Sequence, residues 1–267
     1  TAIASALGWL SLTVLAGLSI AAAKCSYESA EGVATADGVR QIVSGLRAIG
    51  AFMSHFDALN AMHAHAHLGV VGFFTMLVVG VSYKLVPMFT LGEIQCHRRA
   101  NLSVWLLNAG LLGSVVSILL RNKLKFVFAL VIIAALAIFG WELAAIVRAR
   151  RRSALDWGVK SFLTAVAMLA PLSLLAAILA WPRLPLNPFT GQLENLYGFL
   201  GLIGFVTFAI IGMLHKIIPF LVWFHTYSPH VGKAQLPALA DLYSERVQIA
   251  SFWTWQAGLV VTCAGIF

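Results

Sequence analysis

Charged residues are scarce in this chain, and acidic residues are scarcer than basic ones. The 267 residues include 18 Lys and Arg but only 10 Asp and Glu, so that 10% are charged, whereas soluble domains carry about 25%. Hydrophobic residues make up 60% and the mean hydropathy is +0.89. This composition argues against a soluble globular domain and a disordered chain. The net charge of +8 then indicates basic loops beside a membrane, with no nucleic-acid partner.

Cysteine is also scarce. Cys25, Cys96 and Cys263 are far apart and form no C-x-x-C pair, which argues against a disulfide framework, a zinc ribbon and a C-x-x-C-H haem attachment. No basic stretch precedes the first apolar run, so that run does not resemble a secretory signal. Because the chain starts at Thr1 and stops inside an apolar run, we expect a longer gene product.

Long apolar runs are abundant. Each of seven runs is long enough for a membrane-spanning helix, which predicts an all-α polytopic transmembrane bundle that forms a single domain over 1–267. The predicted spans are 5–23, 57–88, 101–120, 126–147, 159–180, 196–222 and 247–267. Residues 24–50 show apolar residues at helical spacing and are predicted as an amphipathic surface helix. Residues 182–195 contain several prolines and are predicted as a loop.

The positions of the basic residues predict an orientation. If the second span ends in the cytoplasm, eleven of the eighteen Lys and Arg lie inside, including the arginines of 148–152; basic loops favour the cytoplasmic side. The other end of the second span, with its histidines, then faces the periplasm of a bacterial inner membrane. Glu142, near the inner end of the fourth span, is expected to reach water rather than to carry protons.

Two segments resemble each other at an offset of 132 residues. Residues 67–87 and 199–219 align without a gap, and their glycines form a smooth stripe where a neighbouring helix can approach closely. The repeat joins the second and sixth spans and therefore predicts a unit of four helices. Eight pairs are identical: Leu68/Leu200, Gly69/Gly201, Gly72/Gly204, Phe73/Phe205, Thr75/Thr207, Gly80/Gly212, Lys84/Lys216 and Pro87/Pro219.

Three histidines, His63, His65 and His67, alternate with alanine near the start of the second span. Successive helical residues turn by about 100°, so His63 and His67 share one face and His65 points about 160° away. One interpretation is a single metal ion chelated by His63 and His67, with His55 close by in sequence. The other is two haems, one on each side of the helix, with His65 and one of its neighbours as axial ligands.

The second span resembles the catalytic subunit of haem–copper oxidases, and is most similar to the C-family oxidases and the related nitric oxide reductases. The resemblance implies a twelve-helix fold built from repeated four-helix units, with His65 as the high-spin and His67 as the low-spin haem ligand. Tyr197 and Phe199 stand where the second repeat would carry this pair, so only one copy can ligate there. The residues that carry the resemblance are His65, His67, Gly72, Phe73, Thr75, Gly80, Tyr83, Val86 and Pro87.

We therefore expect one or two haem b groups held by the histidine cluster, in a protein that carries electrons within a respiratory or redox complex. Arg47 is expected to pair with a haem propionate, and Tyr197 to donate a hydrogen bond at the cofactor. One alternative is a catalytic oxygen or nitric oxide reductase subunit whose other ligands lie in missing helices. Another is a non-redox structural, assembly or copper-binding subunit. The expected partners are the lipid bilayer, other membrane or periplasmic redox subunits, and a quinone or a cytochrome c.

Overall fold

The computed structural model describes residues 1–28, 37–232 and 235–267, and every regular element in this part of the chain is helical. The predicted all-α class is therefore confirmed. Short 3₁₀ turns occur at Ser228–His230 and Leu239–Leu242. The longer helices are α1 (Ala2–Glu28), α2 (Asp37–Met53), α3 (Ala58–Thr90), α4 (His97–Leu119), α5 (Lys125–Arg148), α6 (Trp157–Leu179), α7 (Pro188–Thr226) and α8 (Glu245–Gly265).

Six of these helices are long and apolar enough to cross a membrane: Ala2–Lys24 of α1 and the whole of α3, α4, α5, α6 and α7. They correspond to six of the seven predicted spans and indicate an integral membrane protein. The seventh prediction, 247–267, is corrected. It forms α8, but this helix is not one of the six, and the polar residues Gln248 and Gln256 interrupt its apolar run.

Two helices are much longer than a bilayer core. α3 has 33 residues and α7 has 39, which at about 1.5 Å per residue is roughly 50 Å and 59 Å against a core of about 30 Å. The predicted loop 182–195 is wrong from residue 188 onward. Asn187 Oδ1 accepts the Thr190 N–H at 2.9 Å, and Thr190 Oγ1 accepts the Asn187 N–H at 3.0 Å. Pro188 therefore starts α7 as its first residue rather than breaking it.

The amphipathic segment predicted over 24–50 corresponds in part to α2, which lies alongside α1. Residues 29–36 of that prediction lie outside the described residues. The proline that closes each repeat segment, Pro87 or Pro219, lies inside its helix, and the helices continue to Thr90 and Thr226.

Both repeat segments contain a π-helical stretch at matching positions. Leu68–Thr75 interrupts α3 and Leu200–Thr207 interrupts α7, each over 8 residues. The last threonine of each stretch donates its hydroxyl to the carbonyl five residues earlier, of Val70 or Leu202, at 2.8 Å in both cases. That spacing fits the wider π turn. The sequence similarity thus coincides with an uncommon local backbone, while the four-helix period stays a prediction.

The described chain divides into two compact units. The first comprises 1–81 and 101–138, and the second comprises 82–100 and 139–267. The three clustered histidines belong to the first unit, and Glu142 belongs to the second.

In the first unit, the glycines of α3 face α1. A Cβ atom built on Gly69 would lie 3.4 Å from Thr13 Cγ2, and one on Gly72 would lie 2.9 Å from Trp9 Cβ. The close approach predicted from the glycine stripe is confirmed at these positions. Trp9 Nε1 also donates to Asn108 Oδ1 of α4 at 2.8 Å, a polar contact of the kind that joins helices in lipid.

In the second unit, α6 approaches α7 in a similar way. A Cβ on Gly212 would lie 2.7 Å from the backbone nitrogen of Phe162, so the two backbones are in contact. Near the start of α6, Lys216 Nζ forms an ion pair with Asp156 Oδ2, and both side chains are largely buried. Asp156 also caps α6, because its Oδ1 accepts the Val159 N–H at 3.0 Å.

The expectation that Glu142 reaches water is wrong. Its side chain is fully buried, and Oε1 accepts the backbone N–H groups of Gln95 at 2.7 Å and Cys96 at 2.8 Å. Oε2 accepts Arg99 Nε at 2.7 Å. Helix N-termini leave backbone N–H groups without internal partners and favour a negative charge. Glu142 of α5 therefore caps α4 across the gap between two helices.

Replacing Glu142 by alanine is expected to lower the free energy of unfolding by about 3 kcal/mol, because two N–H groups and a guanidinium lose their acceptor. Glu93→Ala, at an exposed acidic residue of the same unit, is the control and should change stability by less than about 0.5 kcal/mol. Thermal unfolding in detergent, followed by far-UV circular dichroism, measures both variants. Equal melting temperatures would contradict the capping role of Glu142.

Candidate functional site

The histidine cluster lies at the start of α3, within the first unit. Asp57 caps this helix, with its Oδ1 accepting the Asn60 N–H at 3.1 Å. His63, His65 and His67 follow and are all half-buried, and the π-helical stretch begins directly after His67. The three imidazoles therefore lie near one end of a helix that is able to cross a membrane.

The His67 ring is held by the backbone of its own helix. Its Nδ1 lies 2.8 Å from the carbonyl oxygen of His63. Because a carbonyl can only accept, the geometry assigns the proton to Nδ1 and leaves the lone pair of the neutral ring on Nε2. Histidines that bind metals are commonly oriented by this kind of bond at the other ring nitrogen. His67 is therefore prepared to act as an Nε2 ligand.

The His65 ring points to α1, where Gly17 makes room for it. A Cβ on Gly17 would lie 2.9 Å from His65 Cε1 and 3.6 Å from both ring nitrogens. This contact fills that side of α3 and leaves no space for a flat macrocycle between the ring and Gly17. His65 Nδ1 is buried and has no hydrogen-bond partner among the described residues. Such an atom is costly in apolar surroundings.

His55 lies between α2 and α3 and is turned back to the end of α2. Its Nδ1 is 3.0 Å from the carbonyl oxygen of Ala51 and 3.1 Å from that of Phe52. Across the described parts of the chain, no group of three or more His, Cys, Asp or Glu side chains is arranged to hold a metal ion. The structure therefore brings His63 and His67 together on one face without adding His55 to them.

The other two predicted site residues lie apart in the chain. Arg47 is exposed on α2 in the first unit, while Tyr197 is half-buried on α7 in the second unit, three residues before the second π-helical stretch. Their predicted roles at a cofactor stay predictions. The sequence did not predict the contact between Gly17 and His65. A glycine in an apolar helix does not indicate which side chain of another helix will pack against it.

Comparison with known proteins adds no relative: the chain matches no family model, no curated protein and no solved structure. Its function is therefore inferred from the histidine cluster and the side chains around it.

Gly17→Ala is expected to destabilise the protein by about 1–3 kcal/mol, because the added methyl group overpacks against His65. In a His65→Ala background the same change should cost much less. Gly8→Ala is the matched control, since a Cβ at Gly8 in the same helix meets nothing within 4 Å, and alanine there should be neutral or stabilising by up to about 1 kcal/mol. Thermal unfolding of the four variants gives the coupling. An equal cost of Gly17→Ala with and without His65 would rule out the direct contact.

Proposed function

We propose that this chain is an integral membrane protein that binds haem b through His67 and carries electrons within a redox membrane complex. The observation that carries the proposal is the hydrogen bond from His67 Nδ1 to the His63 carbonyl. It orients a half-buried imidazole with its proton on Nδ1, so that Nε2 would be the ligating atom. When bound, the haem iron would supply one-electron redox chemistry, and the chain would hold and orient it.

The packing of α1 supports one haem rather than two. Gly17 fills the space beside His65, whereas His63 and His67 are turned about 160° away from that contact. Within the first unit, the described residues include no histidine on α1, on 101–119 of α4 or on 125–138 of α5. We therefore propose His67 as the haem ligand and His63 as the residue that positions it through its carbonyl group. A second axial ligand, where one is needed, would come from a partner subunit.

The paired packing of the repeat segments supports the resemblance to haem–copper oxidase subunits. In the first unit Gly80 meets Ala2, close to the start of α1, and in the second unit Gly212 meets Gly158, close to the start of α6. Counted as spans, α1 and α6 are four apart, as are α3 and α7. These observations agree with a four-helix unit that is repeated, which is the period that the resemblance implies.

The surroundings of the proposed haem follow from the charge distribution. Basic loops favour a bacterial inner membrane with the histidine cluster on the periplasmic side. There, Arg47 would be available to a propionate, and a quinone, a cytochrome c or another redox subunit would exchange electrons with the haem. These partners belong to the proposal and are supported by chemistry alone.

One specific observation favours a second candidate, a copper-binding function. His63 and His67 lie on one face, joined by the bond between the His67 ring and the His63 carbonyl, and two imidazoles at this spacing can chelate a soft or borderline metal ion. A catalytic reductase has less support, because its centre needs further ligands beside this pair.

His67→Ala is expected to remove most of the haem from the purified full chain, because it removes the proposed axial ligand. His65→Ala should keep more than half of it, and His55→Ala all of it. Reduced-minus-oxidised spectra and pyridine haemochrome assays measure the haem, with thermal unfolding as the check that each variant folds.

Metal analysis of the same samples separates the two candidates. Copper that is lost on changing either His63 or His67 to alanine, in a protein without haem, would favour the chelating pair. Wild-type protein that contains no haem after expression with haem supplied, or a His67→Ala variant that keeps it fully, would overturn the haem proposal.

A further inference from the structure

Around the start of α4 and the end of α5, the second unit carries four exposed arginines that form no salt bridge with an acidic side chain of the described residues. Arg98 lies in the first turn of α4, and Arg148, Arg150 and Arg151 lie at and just after the end of α5. Within the described residues, none of the four forms a salt bridge. We call these four residues the arginine surface. It contains strong hydrogen-bond donors whose positive charge is available to a partner.

Two neighbouring arginines differ from these four because each forms an ion pair. Arg99 is paired with Glu142 at 2.7 Å, and Arg152 lies 3.6 Å from Asp156. The positive charges of both arginines are therefore paired with acidic side chains of the same chain. Arg150 makes one contact, from Nη1 to the Val147 carbonyl at 3.0 Å, which leaves most of its five N–H groups for another acceptor.

Hydrogen bonds from Arg152 hold the loop after α5 against the end of α3. The Arg152 N–H donates to the Thr90 carbonyl and its Nη1 to the Phe89 carbonyl, both at 3.3 Å. The hydrogen bonds from the Gln95 and Cys96 N–H groups to Glu142 hold the start of α4 against the C-terminal end of α5. The loop that follows α5 therefore lies against the residues that link α3 to α4. Glu93 is the exposed acidic residue of that link, one negative charge against four positive charges.

Two tryptophans mark the depth of this surface in the membrane. Trp141 is 60% exposed, and the Arg99 guanidinium carbon lies 4.8 Å from its ring centroid. Trp157, at the start of α6, has Lys160 Nζ 4.2 Å from its ring centroid. Tryptophan favours the headgroup layer, where its ring is partly apolar and partly wet. We therefore place the segment between these two residues, which comprises the end of α5 and the loop after it with three of the four arginines, at the level of the lipid phosphates.

We propose that the arginine surface binds the phosphate group of an anionic phospholipid. A guanidinium offers two parallel N–H donors that match the oxygen atoms of a phosphate. A basic cluster next to the end of a membrane span is attracted to anionic lipid, by a factor of about five for each basic residue. The proposed lipid site needs only the membrane-spanning helices and is independent of the proposed haem.

The test compares two double variants of the full chain in detergent. Arg150→Gln/Arg151→Gln removes two cations of the arginine surface. Arg121→Gln/Lys123→Gln is the matched control and removes two exposed cations from the link between α4 and α5 in the first unit. Native mass spectrometry during titration with phosphatidylglycerol, and with phosphatidylcholine as the zwitterionic lipid, measures binding. Thermal unfolding checks that both variants fold.

We expect the first double variant to bind phosphatidylglycerol about tenfold or more weakly, while the control variant binds like the wild type and phosphatidylcholine binds weakly to all three. Equal weakening in both double variants would mean unspecific charge attraction and would overturn the proposed site. Displacement of the lipid by millimolar inorganic phosphate would show a site for free phosphate instead, and would also overturn it.

Discussion

The structure depends on one constraint: inside a bilayer no water satisfies polar groups, so the protein has to do so itself. Two of the polar contacts between helices follow this constraint. Glu142 is bonded by two backbone N–H groups and Arg99, and Trp9 donates to Asn108 on another helix. Since lipid is as apolar as leucine, helices in a membrane associate through such bonds and through close packing. Both occur in this protein, and the glycines of α3 and α7 provide the close packing.

In the candidate site, this constraint bears on His65. Its ring occupies the space above Gly17, and its Nδ1 is one of the buried polar atoms without a partner among the described residues. The contact fixes how α3 packs on α1 and so determines which face of α3 remains for His63 and His67. A histidine predicted as a ligand from sequence thus acts in the packing, while its neighbour two residues later has the bond that a ligand needs.

Local patterns in the sequence predict what local physics determines. Six spans follow from apolar runs, and the approach of α1 to Gly69 and Gly72 follows from the spacing of small residues. The errors come from features that need a partner or a second pattern. Glu142 finds its N–H donors 46 and 47 residues away, which no local spacing reveals. The capping residues Asn187 and Thr190 and the proline at 188 indicate the start of α7. The prolines at 182 and 185 nevertheless favour a loop over the whole of 182–195.

The two π-helical stretches show whether this backbone depends on the histidines that precede one of them. One follows the histidine cluster, and the other follows Tyr197 and Phe199, where no imidazole is present. The same backbone therefore forms with and without histidines before it, so it does not depend on the histidines. Function is carried by side chains set on a scaffold and not by the scaffold itself. Loss of a cofactor on replacing His67 would accordingly report on ligation, because the repeat already contains a copy of this helix that folds without that residue.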